Sequence, residues 1–167
     1  MPPRSRLFDR EIRELAFDMA RLEWAHIEAF DAGEYPALNP DTGFDGATTL
    51  RLQPHLHLLP CRYPVDDLLL AVRRARQGRL SAERRRKLLQ EVPRGEVYIV
   101  VHRAELSVHY KRLEREAFLM LQSLQGGATL SEALESAFSG SSLSQGAAAE
   151  LIQGWFANWM ELGWFAR

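Results

Sequence analysis

Residues 97–113, Val97-Tyr98-Ile99-Val100-Val101-His102-Arg103-Ala104-Glu105-Leu106-Ser107-Val108-His109-Tyr110-Lys111-Arg112-Leu113, decide how the chain is read. Val97 to Val101 is a run of β-branched and aromatic side chains behind Pro93-Arg94-Gly95, which predicts a strand. Leu106, Val108 and Tyr110 then alternate with Ser107, His109 and Lys111, a second strand with two unlike faces. Arg103-Ala104-Glu105 is the expected turn, so the stretch is a hairpin.

Downstream of the hairpin the periodicity becomes helical. Ala117, Phe118, Leu121 and Leu124 share one face of a helix from Glu114 to Gln125, and Gly126-Gly127 stops it. Thr129-Leu130-Ser131-Glu132 has the spacing of a capping box, in which the Thr oxygen and the Glu carboxylate satisfy each other's backbone amides. A short helix is expected to Phe138, then a link at Ser139-Gly140-Ser141-Ser142. A last helix runs from about Ser144 to Leu162, with Gly163 as its cap. Its Leu151, Trp155, Phe156 and Trp159 make it apolar on more than one side. Such a helix is either deeply buried or half of an interface, and both readings stand.

Upstream, residues 7–32 read as one long helix. Phe8, Ile12, Leu15, Met19, Leu22, His26 and Ala29 recur in steps of four and three, and Gly33 follows as a cap. Residues 34–46, rich in Pro and Gly, form a loop. Thr48 to Tyr63 is strand-like, with Pro54 marking an edge or bulge. A helix from Val65 to Arg76 begins with Asp66 and Asp67, and a basic helix follows from Ser81 to about Gln90. The expectation is a single α+β domain over 1–167. Within it, 1–94 is a lobe of helix, strand and basic helix, and 95–167 is a winged-helix-like lobe.

Composition narrows the function classes. The chain has 167 residues, 46% apolar and 26% charged, so it can build a core without staples. One cysteine, Cys61, excludes a disulfide framework and a Cys-only zinc site, and fits a reducing, cytoplasmic setting. The N-terminus lacks the apolar run of a secretory signal, and no stretch reaches the length of a membrane span. Net charge is −1 but unevenly placed: residues 73–94 carry 9 basic and 2 acidic side chains. This block (Arg73, Arg74, Arg76, Arg79, Arg84, Arg85, Arg86, Lys87, Arg94) suits nucleic-acid phosphate, an acidic partner, or plain solvent. Duplex readers place cations on the recognition helix, whereas no Lys or Arg lies between Leu143 and Phe165. A nucleic-acid partner is therefore the weaker reading.

No catalytic motif is present: no Gly-x-Ser-x-Gly, no phosphate-binding glycine loop, no His-Glu-x-x-His. Cys61 sits among Leu58, Leu59 and Pro60 and reads as a buried thiol despite Arg62 beside it. His55-x-His57 would project two rings to one face of a strand, but spacing fixes no third ligand. His26 falls on the apolar stripe of the first helix, as a hydrogen-bonded core histidine would.

Two resemblances add to this reading. The strand Leu106–Leu113, the Ala117/Leu121 helix, Gly127-Ala128-Thr129-Leu130-Ser131-Glu132 and the ending Leu162-Gly163-Trp164-Phe165 resemble PqqD-like peptide-recognition domains. Arg21-Leu22-Glu23-Trp24-Ala25, Leu52-Gln53-Pro54-His55-Leu56-His57-Leu58-Leu59, Arg62-Tyr63-Pro64-Val65 and Arg112-Leu113-Glu114 resemble a second family. They are similar to the C-terminal half of the HvfC/BufC-like family long labelled a DNA-binding domain, partner proteins of multinuclear non-haem iron oxidative enzymes. The resemblances imply a non-catalytic subunit that presents a precursor peptide to an iron-dependent enzyme, with the iron belonging to that enzyme and no cofactor held here. They imply peptide binding at Leu106, Val108, Tyr110, Leu151, Trp155 and Trp159, by addition of a strand. Partner docking is expected at Arg73, Arg74, Arg84 and Arg85. The alternative is a DNA-binding transcriptional regulator.

Overall fold

A computed structural model describes residues 4–39, 41, 43–77, 83, 92–141, 143 and 145–167. Its first element, α1 (Arg4–Asp31), turns Leu15, Met19, Leu22, Ala25 and Ala29 inward at helical spacing. Asp18 lies on the same side, buried, and its carboxylate accepts from the Arg62 amide at 2.6 Å. Gly33 has no left-handed conformation and is not the cap that the sequence suggests. Instead Arg103 Nη1 donates to Phe30 O at 2.8 Å and to Ala32 O at 2.7 Å. A cation on the last carbonyls satisfies them and complements the helix dipole.

Two short strands follow, β1 (Arg51–Leu52) and β2 (His57–Cys61), split by a turn at Pro54–His55. α2 (Val65–Gln77) opens with Asp66 and Asp67 as expected. The predicted basic helix over 81–90 lies outside the described residues, Glu83 apart. β3 (Val97–Ala104) and β4 (Ser107–Leu113) form the hairpin, in register from Tyr98–Leu113 to Ala104–Ser107. Its turn is the two residues Glu105 and Leu106, and Glu105 takes the positive φ, 55°, that a two-residue hairpin turn requires. Leu106 is therefore at the tip, 88% exposed, and not in the strand where the sequence puts it.

α3 (Arg115–Gln125), α4 (Leu130–Phe138), α5 (Gln145–Glu161) and β5 (Phe165–Ala166) complete the chain order. The capping box is present: Thr129 Oγ1 accepts from the Glu132 amide and Glu132 Oε2 accepts from the Thr129 amide at 2.8 Å. Gly163, φ 65°, lets the chain turn sharply after α5, so that β5 pairs antiparallel with β1.

The fold is α+β, with a three-stranded antiparallel sheet in the order β2-β3-β4 and a two-stranded sheet β1-β5. The larger sheet lies between two cores. On one face Leu59, Cys61, Ile99 and Val101 pack on α1, with Val108 and Tyr110 at the margin. On the other, Leu58, Val100 and Leu113 meet Leu121, Leu124, Trp159, Trp164 and Phe165. β2 and β3 pair along their length across the lobe boundary read at Arg94/Gly95, which joins the two lobes through one sheet. No helix among the described residues is long and apolar enough to cross a membrane.

Candidate functional site

Hydrogen-bond directions in the sheet identify an open edge. Along an antiparallel strand, successive residues point their N–H and C=O groups to alternate neighbours. The Arg103 amide donates to His55 Nδ1 at 3.2 Å, on the β2 side of β3. Tyr98, Val100 and His102 therefore face β4, where they oppose Leu113, Lys111 and His109. That leaves the backbone N–H and C=O groups of Val108, Tyr110 and Arg112 directed away from the sheet. Among the described residues nothing bonds them. The opposite edge is different. On β2, Pro60 has no N–H to offer and its carbonyl accepts from Arg21 Nη1 at 2.8 Å, while Asp18 takes the Arg62 amide. Proline and side-chain caps on the backbone block added strands; β4 holds no proline, and among the described residues no side chain caps its outward backbone.

The β4 edge has distinct flanks. On the α1 side the Tyr110 hydroxyl and His26 Nδ1 are 2.7 Å apart, and the Arg73 guanidinium of α2 approaches that hydroxyl. Burial raises the Tyr110 pKa and lowers that of His26, so the pair is a neutral hydrogen bond at neutral pH. On the other side Lys111 donates to Asn158 Oδ1 of α5. Leu151 sits two turns before Asn158 on the same helix face and is 38% exposed. Gly154 lies between them, and a Cβ there would meet nothing within 4 Å. The β4 edge thus carries outward backbone donors and acceptors, with Arg73 near Tyr110 on the α1 side and Lys111, held by Asn158 of α5, on the other.

Of the residues assigned to peptide binding from sequence, Val108 and Tyr110 lie on the open β4 edge with their side chains on the α1 side, and Leu151 is exposed on α5. Trp155 and Trp159 are corrected: they are buried and belong to the core. Trp155 stacks on Phe138 with ring centroids 5.9 Å apart, and Trp159 stacks on Trp164 at 6.3 Å. Together with Phe156 and Phe165 they bind α5 to α4 and to the C-terminal strand. Leu106, at the hairpin tip, stands outside the strand. Of the docking arginines, Arg73 is exposed and near Tyr110. Arg74 lies in α2, its side chain outside what is described, and Arg84 and Arg85 lie outside the described residues. Arg94 is held by Glu14 at 3.4 Å.

The histidines and the cysteine are internal groups. His55 is spent on the Arg103 amide, and His57 faces Glu28 at 3.6 Å. No group of three or more metal-ligating side chains gathers among the described residues. Burial pushes the Cys61 thiol up to about 12, so at neutral pH it is not a thiolate nucleophile. Burial, with His109 and His55 nearby, pushes His102 down to about 4.

Sequence reasoning missed Asn158, Gly154 and Lys111. The available signal was a small residue at i+3 and a polar one at i+7 from Leu151. It also missed Arg112, whose guanidinium grips Asp66 through two 2.8 Å bonds and Asp67 at 2.6 Å, fastening β4 to α2. No protein-family model matches the chain, and no curated protein is detectably similar to it.

Proposed function

We propose that this chain is a non-catalytic recruiting subunit. It takes an extended precursor peptide onto the β4 edge and delivers it to an iron-dependent peptide-modifying enzyme. The observation that carries the reading is the row of three outward backbone positions, Val108, Tyr110 and Arg112, beside the open face of α5. A strand added there gains main-chain hydrogen bonds, while its alternate side chains reach Tyr110 on one face and Leu151 on the other. Arg73 and Lys111 favour an acidic segment in the added strand. The enzyme partner is inferred from the resemblance of the sequence blocks around Trp24, His55–Leu59 and Arg112. Lys and Arg are absent from α5, which counts against duplex binding through that helix.

The test is co-purification of the chain with a candidate iron-dependent oxidative enzyme, with and without the candidate precursor. Two variants accompany it. Val108→Pro removes a donor that faces outward, so the β3–β4 ladder survives while the added strand loses a bond. Leu151→Asp alters an exposed residue of α5 that is not part of the core. Each folded variant is expected to weaken precursor binding about tenfold or more, the loss of one well-made interaction. Unchanged precursor binding in both contradicts the reading, and steeply salt-dependent duplex binding would replace it with the regulator.

A further inference from the structure

We propose that α1 also pairs with α1 of a second copy, antiparallel, about a two-fold axis at the height of Leu22. This surface lies on the side of α1 turned away from the core and is independent of the peptide reading.

α1 is apolar on two sides. The inner line Leu15, Asp18, Leu22, Ala25, Ala29 meets the sheet. The outer line Arg13, Phe17, Ala20, Trp24, Ile27, Asp31 advances in steps of four and three, and every member is exposed. Phe17 is 64% and Trp24 63% exposed. Scattered exposed apolar residues are ordinary, but a row at this spacing is the seam of a helix pair.

What identifies the occupant is the order within the row. A two-fold contact requires that where residue i meets j, j meets i. Reversed about position 22, the row falls on itself with complementary chemistry. Arg13 opposes Asp31, Phe17 opposes Ile27, and Trp24, the largest side chain, opposes Ala20, the smallest. Beside Ala20 a cleft of about 530 Å³, walled by Phe17, Trp24, Glu28 and Leu58, gives the incoming Trp24 room. Parallel pairing would set Arg13 against Arg13 and Asp31 against Asp31. A helix of some other protein could use the apolar row but would not require its palindromic order.

Sedimentation equilibrium of the whole chain across the micromolar range is expected to give the dimer mass. Trp24→Glu should give the monomer with an unchanged far-UV spectrum and melting curve, because Trp24 makes little of the core. Ile27→Glu serves as the second variant should Trp24→Glu melt early. Mixed Phe17→Cys and Ile27→Cys chains, oxidised together, should cross-link to each other in preference to themselves, with the buried Cys61 thiol taking no part. A monomeric wild type, a dimer that survives both glutamates, or self-cross-linking of each cysteine variant would overturn the proposal.

Discussion

His102 sits on β3 between the stacked ring of His109, 5.6 Å away, and the edge of Trp164 at 5.2 Å. Its Nδ1 is buried without a hydrogen-bond partner among the described residues. Neutral imidazole is tolerated there and imidazolium is not, which is why its pKa falls to about 4. In the unfolded chain the group returns to its ordinary value near 6.5. Between those limits the unfolded state binds the proton that the folded state refuses, so stability is intact above about pH 6.5 and falls as the pH drops towards 4. His102 alone accounts for up to about 3 kcal/mol of that loss. Burial lowers His26, His55 and His57 in the same direction. Melting curves at pH 7.5 and pH 5 should therefore differ, and His102→Leu, which removes the titrating ring but keeps an apolar filling, should bring the two closer. An unaltered pH dependence in that variant would show that the ring is not the source.

At the scale of elements, α5 combines buried and exposed residues along its length. Trp155 and Trp159, both buried, hold the molecule together. Leu151 and Gly154 are exposed, and Asn158 accepts from Lys111 of β4. Trp159→Ala should cost about 3–5 kcal/mol, the usual range for removing a buried aromatic side chain. Leu151→Ala, at an exposed position, should cost less than about 1 kcal/mol. Urea unfolding midpoints of the two variants check the division.

That division was not legible in the sequence. The row of Trp155, Phe156 and Trp159 announced an apolar helix but not which neighbour it met, because the answer depends on Phe138 and Trp164, brought there by the tight turn at Gly163. By contrast, the capping box at Thr129, the hairpin strands and the acidic start of α2 were legible, since each is fixed by contacts within a few residues. The cap of α1 was misread for the same reason in reverse. Gly33 is a local signal, whereas the group that satisfies the last carbonyls, Arg103, is distant in sequence and adjacent only after folding. Leu106 shows the limit of alternation as evidence: it keeps the period of the strand while lying one residue outside it.

In the whole molecule, the three-stranded sheet is closed on one edge and, among the described residues, open on the other. α1 closes the β2 side with Asp18 and Arg21, and the salt bridges of Arg112 to Asp66 and Asp67 fix β4 against α2. The proposed peptide site uses the open β4 edge, and the proposed dimer contact uses the outer side of α1. The most direct test is residue-resolved amide exchange of the chain with and without the precursor peptide. Strand addition predicts an alternating pattern: the amides of Val108, Tyr110 and Arg112 become protected on binding, while those of His109, Lys111 and Leu113, already bonded to β3, change little. Protection confined to α1, or spread evenly along β4, would contradict it.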